Sequence, residues 1–221
     1  MHDWRIDPRE YARHEQRRGR RHAYGRLSGR RTALVVVDMV RFFVDGSPYG
    51  PGIVPQVHHL AQAVRAAAGT VAWVLPAVSA EPDPWAVEFY GHTTAEAYRR
   101  AGGTGGPADR LAPGLVPAAG DLVVEKSAPS AFFPGRCPLP GLLEERGIDT
   151  VVVCGLVTDV CVAGTARDAA TLGYRTVLVA DASATRSDAA HNAALTTVYR
   201  SFGDVRAASE VAALLSAAGS G

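Results

Sequence analysis

Cys161 stands where an apolar strand gives way to a helix. In Val151–Val162 (VVVCGLVTDVCV), four apolar residues read as a buried strand and Gly155 breaks it. Thr158 and Asp159 supply helix-start chemistry, and a helical pattern runs from about Val160 to Leu172 before Gly173 stops it. The thiol therefore falls in a first helical turn, among unpaired N–H groups and the positive end of the helix dipole. Both favour a thiolate and any nearby oxyanion. Such a cysteine is either a nucleophile or a small core residue. Asp38 closes the apolar run TALVVV, and Lys126 closes a second run, Asp121–Glu125. If these runs are parallel strands, both side chains emerge at the carboxyl edge of the sheet, where ligands bind. Asp38 is then a site carboxylate, or only the cap of the following turn. Lys126 is the one lysine in a chain with 23 basic side chains. It marks a place that wants a compact ammonium rather than a guanidinium fork, unless its choice is chance. Arg186 follows a fifth strand at the same edge. It can grip a carboxylate with two hydrogen bonds, or it caps the preceding turn or pairs with Asp188.

These residues need a scaffold that brings strand ends together. Apolar runs at Thr32–Val37, Thr70–Leu75, Asp121–Glu125, Thr150–Cys154, Thr176–Ala180 and Asp204–Arg206 predict strands. Helical patterns near 55–68, 96–100, 139–146, 160–172, 187–202 and 207–217 alternate with them. Regular alternation predicts an α/β fold, a parallel sheet with helices on both faces, in a single domain without internal repeats. Residues 32–221 form that domain, and residues 1–31 form a basic arm outside it. The loops Ala77–Trp85 and Ser127–Pro138 follow predicted strands, so Trp85 and Phe133, with Phe43 after Asp38, are expected to wall a pocket. Thr158, beside the break after Gly155, is expected to contact the substrate. Cys137 reads as incidental and Cys154 as core.

Composition removes several classes. With 221 residues, 47% of them hydrophobic, the chain can bury a full core. No apolar run approaches the ~20 residues of a membrane span. The net charge is +1, but residues 1–31 hold ten arginines against four acids. An arm anchored by Trp4, Ile6, Tyr11 and Tyr24 reads as packed on its own or a neighbouring subunit, and its sparse aromatics argue against nucleic acid. Three cysteines with no secretory apolar segment before them predict a cytoplasmic protein without a disulfide framework. No dinucleotide or phosphate-loop glycine motif is present. Histidines 58 and 59 are adjacent and diverge on a helix, so no metal set converges and no cofactor is expected.

The ordered set of Asp38 after TALVVV, Lys126 in VVEKSAPSAFF, and GLVTDVCVAGTARDAATLGYRTVLVADASATRS resembles the isochorismatase-like cysteine hydrolases over residues 32–206. The resemblance implies a three-layer αβα sandwich with a six-stranded parallel sheet, and assembly as a homo-oligomer, dimer or tetramer. By position it implies Cys161 as nucleophile, Asp38 as its base and Lys126 as charge partner. It also implies a non-proline cis peptide at Leu156–Val157, with the Val157 and Cys161 amides as oxyanion hole. The Asp and His that bind metal in the nicotinamidase branch are missing after the second strand. The segments around Asp38 and 181–187 are more similar to N-carbamoylsarcosine amidohydrolase and related carbamoyl or ureido hydrolases, in which an arginine at the place of Arg186 holds the substrate carboxylate.

A small-molecule amidohydrolase is the reading that results. Vinyl-ether cleavage by Asp38 and Lys126 alone is the alternative on the same scaffold, and a non-catalytic binding module is another. Because the converging Asp and His are missing, prolonged chelation with EDTA should leave hydrolysis unchanged. Loss of activity that zinc, iron or manganese restores would contradict this.

Overall fold

The computed structural model describes residues 1–217. Among these, six strands form one parallel sheet: β1 (Thr32–Val37), β2 (Thr70–Pro76), β3 (Leu122–Lys126), β4 (Thr150–Leu156), β5 (Arg175–Ala184) and β6 (Asp204–Arg206). Their order is β3-β2-β1-β4-β5-β6. The chain thus steps outward from β1 to one edge, returns to the middle at β4, and steps outward to the other edge. The place where direction reverses, between β1 and β4, is where an open α/β sheet leaves a crevice at its carboxyl end.

The helices are α1 (Pro8–Arg18), α2 (Arg41–Asp45), α3 (Gly50–Ala66), α4 (Pro84–Tyr90), α5 (His92–Arg99), α6 (Pro107–Arg110), α7 (Leu139–Glu145), α8 (Ala163–Thr171), α9 (Asp188–Ser201) and α10 (Ala208–Ala217). Strand alternation sorts the core into two layers. Leu34 and Val36 of β1 pack with Ile53, Val57 and Leu60 of α3 and Val211 of α10. Ala33, Val35 and Val37 point the other way, onto Leu143 of α7, Ala166 of α8 and Leu195 and Val198 of α9. Full burial of each Val or Leu is worth about 1.5–3 kcal/mol, so both faces must be covered.

The predicted architecture stands, with local differences. Helix α4 begins at Pro84, inside the loop predicted over Ala77–Trp85. Asp83 accepts the Trp85 amide at 2.9 Å and Pro84 sits in the first turn, a start signal inside an otherwise loop-like run. Helix α3 begins at Gly50, five residues before the helical pattern predicted from about 55. Strand β5 runs on through Asp181–Ala184, four residues past the predicted end at Ala180. Ser183 folds its hydroxyl back to the Val179 carbonyl at 2.8 Å, and Asp181 accepts the Ala208 amide at 2.7 Å. Those polar side chains therefore do not need solvent.

The arm lies on its own chain. Glu10 of α1 pairs with Arg200 of α9 at 2.6 Å, and the ring of His14 contacts the Tyr199 carbonyl at 3.2 Å. The buried Asp204 of β6 takes the amides of Ala23 and Tyr24, at 2.7 and 3.0 Å.

Gly155 sets how closely the two central strands approach. Its φ is +117°, and a Cβ there would lie 2.1 Å from the Val37 carbonyl oxygen. Neither strain nor overlap can be relieved without moving β1, the strand that ends in Asp38. Gly155→Ala should cost roughly 3 kcal/mol or more in urea unfolding. Gly164→Ala in α8, where the nearest atom would be 3.8 Å away, should be neutral or stabilising. Equal stability of the two variants would refute the packing argument.

Candidate active site

Three strand ends meet at the crevice. Asp38 leaves β1 with φ 53°, a left-handed conformation that aspartate tolerates better than most residues. Its amide still bonds the Val74 carbonyl of β2 at 2.9 Å, so the turn is anchored to the sheet. Lys126 ends β3, two strands away and roughly 10 Å across the sheet at ordinary strand spacing. Its four-carbon stem and the Asp38 side chain close that distance from the two sides. The Nζ reaches Asp38 Oδ2 at 2.8 Å, the Ala128 carbonyl at 3.2 Å and Cys161 Sγ at 3.7 Å. Asp38 is 1% exposed and Lys126 5%. Their contact is a close ion pair whose angles depart from an ideal hydrogen bond.

Cys161 comes to the same point from β4, with its thiol within hydrogen-bonding reach of Asp38. The sequence placed it in the first turn of an α-helix beginning near Val160; the structure has a π-helical turn, Thr158–Val162, and α8 starts only at Ala163. The Val157 carbonyl accepts the amides of both Val160 and Val162, each at 3.2 Å, and serving both widens the turn. Leu156–Val157 is a cis peptide, where the resemblance placed it, and the Val157 amide donates to the sulfur. The residue as a whole is of intermediate exposure, although its thiol is largely buried.

The charge balance differs from the expected low-pKa thiol. Burial, and then the Asp38 charge, push the Cys161 thiol up to about 12, against Lys126 and the Val157 amide. Burial likewise raises Asp38 above the usual carboxylate range, against the pull of Lys126. Burial opposes the Lys126 ammonium, but its contacts with Asp38 and Cys161 outweigh burial and hold it above its usual value. At rest the sulfur is a thiol, and a carboxylate of raised basicity lies beside it, steadied by an ammonium. This arrangement can move one proton from sulfur to carboxylate and generate a nucleophile on demand.

The residues expected to contact substrate scatter more widely. Phe43 is half-buried and stacks on Tyr98 with centroids 6.4 Å apart. Phe133 is 52% exposed and Trp85 60%, the latter lying flat on Phe89 at 5.3 Å. Trp85 therefore belongs to a surface aromatic cluster on α4 rather than to a closed wall. Thr158 is fully buried, and its hydroxyl lies 2.9 Å from His191 Nδ1, a contact that ties the turn to α9. Arg186 is exposed and, among the described residues, makes no ion pair or hydrogen bond. Asp188, its suggested partner, pairs with His2 instead at 2.6 Å. A hollow of about 260 Å³ lined by Arg41, Phe42, Gly103 and Arg110, and one of about 550 Å³ between the arm and α9, are not lined by the Asp38 cluster.

His2, His191 and Thr185 escaped the sequence reading. His191 carried a signal, since with Ala194, Leu195 and Val198 it makes the buried i, i+3, i+4, i+7 stripe of α9. Burial and then His2 lower its pKa to about 3, so it is a neutral ring. His2, at the far end of the chain, carried none.

Among the described residues no three His, Cys, Asp or Glu side chains cluster as metal ligands, and no helix is long and apolar enough to cross a membrane. The family model described as the isochorismatase domain matches residues 32–210. Maleamate amidohydrolase of Pseudomonas putida is 31% identical over 181 residues, 80% of this chain and 83% of that protein. The crystal structure of a cysteine hydrolase from Pseudomonas syringae pv. phaseolicola superposes with a TM-score of 0.77 at 27% identity, covering 89% of this chain and 97% of that one. N-carbamoylsarcosine amidase from Thermoplasma acidophilum does so with a TM-score of 0.65 at 32% identity, over 80% of this chain and 96% of that one. Strand order, the crevice with Asp38, Lys126 and Cys161, and a domain match across most of the chain lead to one assignment: the protein belongs to the isochorismatase family and is a hydrolase.

Proposed function

We propose that this hydrolase is a cysteine-dependent amidohydrolase that cleaves the C–N bond of a small acid bearing an amide, N-carbamoyl or ureido group. The observation that carries the reading is the Lys126 ammonium lying 2.8 Å from the Asp38 carboxylate and 3.7 Å from the sulfur of Cys161, a residue of intermediate exposure. Asp38 takes the thiol proton as sulfur attacks the carbonyl carbon. The amides of Val157 and Cys161 receive the developing oxyanion, at about 3–4 kcal/mol per donor. The C–N bond then breaks, Asp38 returns its proton to the leaving nitrogen, and ammonia or an amine departs. Water, giving its proton to Asp38, adds to the thioester and releases the acid and the thiol. Lys126 keeps Asp38 aligned and balances the charge that passes between carboxylate and sulfur.

Arg186 supports the acidic half of the reading. An exposed arginine with no partner among the described residues, after the strand paired to β4, can bind a carboxylate bidentately. The names of two relatives, maleamate amidohydrolase and N-carbamoylsarcosine amidase, both denote acids with an amide or carbamoyl nitrogen. Such substrates fit a thiol and a guanidinium at neighbouring strand ends.

Ammonia release from a panel of carbamoyl acids, ureido acids and half-amides tests the reaction class. Cys161→Ala should abolish turnover while folding normally; retained activity would exclude covalent catalysis and favour vinyl-ether chemistry. Lys126→Arg should lose about 100-fold in turnover, because the wider fork displaces Asp38. Wild-type turnover in that variant would reduce Lys126 to a distant counter-charge.

Alkylation by iodoacetamide tests the resting thiol separately. With the thiol pushed up to about 12, the rate should climb through pH 10 without a plateau. Lys126→Met removes the cation that favours the thiolate and should slow the reaction about tenfold or more, about 1.4 kcal/mol. An early plateau, or an unchanged rate in the variant, would contradict the charge balance described above.

A further inference from the structure

We propose that His2 is a positioning residue that sets substrate choice by clamping the loop that carries Arg186. The inference rests on the reading of Arg186 as the carboxylate anchor. Its basis is a chain of contacts from the arm to the crevice. The His2 side chain is 1% exposed. Its Nδ1 lies 2.6 Å from Asp188 Oδ1, and its Nε2 receives the Thr185 amide at 3.0 Å. One imidazole therefore holds the loop on both sides of Arg186.

The clamp is itself held. The ring stacks between Tyr49, centroids 3.8 Å apart, and His191, 4.2 Å apart. Residues after it are fixed along α9, since Asn192 accepts the Arg5 amide at 2.8 Å and donates to the Asp3 carbonyl at 3.1 Å. From the loop the contacts continue inward. The Thr185 hydroxyl donates to Asp159 Oδ1 at 2.6 Å, and Asp159 belongs to the turn that presents Cys161. His191 binds the Thr158 hydroxyl in that same turn at 2.9 Å. Arg186 and Cys161 thus sit on two segments that the arm fastens together.

Simple packing does not account for this geometry. A phenyl ring would stack as well between Tyr49 and His191. The two nitrogens add what a phenyl lacks, an acceptor for one loop end and a donor for the other. An Nε2 that accepts the Thr185 amide bears no proton, so the proton lies on Nδ1, facing Asp188. That tautomer is a specific expectation of the clamp. Without it, two loop contacts are lost while the ring volume remains, and Arg186 keeps its charge but not its place.

The test uses the full chain with N-carbamoylsarcosine and its neutral N-methylamide as probes. His2→Phe should raise KM for the acid tenfold or more, with kcat little changed, and spare the neutral probe. His2→Gln, whose side-chain oxygen reaches the Nε2 position, should recover part of the loss. Hydrogen exchange at the Thr185 amide should speed up tenfold or more in His2→Phe, and 15N shifts of the wild-type ring should show a proton on Nδ1 and none on Nε2. Arg186→Ala separates the two ideas. If it raises KM for the acid and His2→Phe does not, the clamp is overturned and the acid reading stands. If neither variant changes the preference, both fall. Equal losses for both probes, or a proton on Nε2, would leave His2 a packing residue and overturn the inference.

Discussion

A carboxylate and an ammonium buried against each other are expensive to desolvate, and they are tolerated only when each is held within reach of the other. The Asp38–Lys126 pair imposes that demand on the whole sheet. Asp38 must leave β1 in a left-handed turn, β2 must pass between it and β3, and Lys126 must extend beneath the crevice. Gly155 lets β4 come close enough for Cys161 to join them. Replacing the pair by apolar groups would suit stability equally well. Its retention at a strand-end crevice, beside a thiol, is an argument from cost for a chemical role.

Around that pair the protein is built in shells of decreasing order. The sheet is fixed by apolar burial on both faces, and the π-helical turn by hydrogen bonds from Val157, Thr158 and Asp159. Beyond them lie the exposed Arg186 and the aromatic cluster of Trp85, Phe89 and Tyr90, which contact solvent over much of their surface. The proposed function places chemistry at rigid strand ends and recognition on loops whose positions depend on remote supports. The arm is such a support. Its basic residues look like a tail in the sequence, yet Glu10, His14 and His2 fasten it to α9 and the loop before it.

Much of this was legible because strand ends are legible. Asp38, Lys126 and Cys161 each follow an apolar run, and a parallel sheet brings such ends to one edge whatever their separation in sequence. The π-helical turn was not legible, because its width comes from the Val157 carbonyl accepting two amides, and no residue type signals that sharing. Strand β5 was cut short in the reading because Asp181 and Ser183 are polar, and their partners at Ala208 and Val179 are invisible to local pattern. Thr158 illustrates the same limit. It was expected to contact substrate, but its buried hydroxyl meets His191, thirty-three residues away, a partner that local pattern does not show. The role of His2 required knowing that the arm returns to the centre of the molecule.

The reversal of strand order between β1 and β4 also bears on how the protein comes into being. Thr32 pairs with Thr150, so the central seam of the sheet joins the two halves of the chain. During synthesis β1, β2 and β3 can associate while β4 is still unmade, and at that stage Asp38 and Lys126 have no sulfur beside them. Closing the seam pays a large loop entropy and belongs to the slow, non-local class of folding events. On the proposed mechanism a nascent or half-folded chain would be chemically silent, because the cluster of Asp38, Lys126 and Cys161 is complete only when the last long-range pairing has formed.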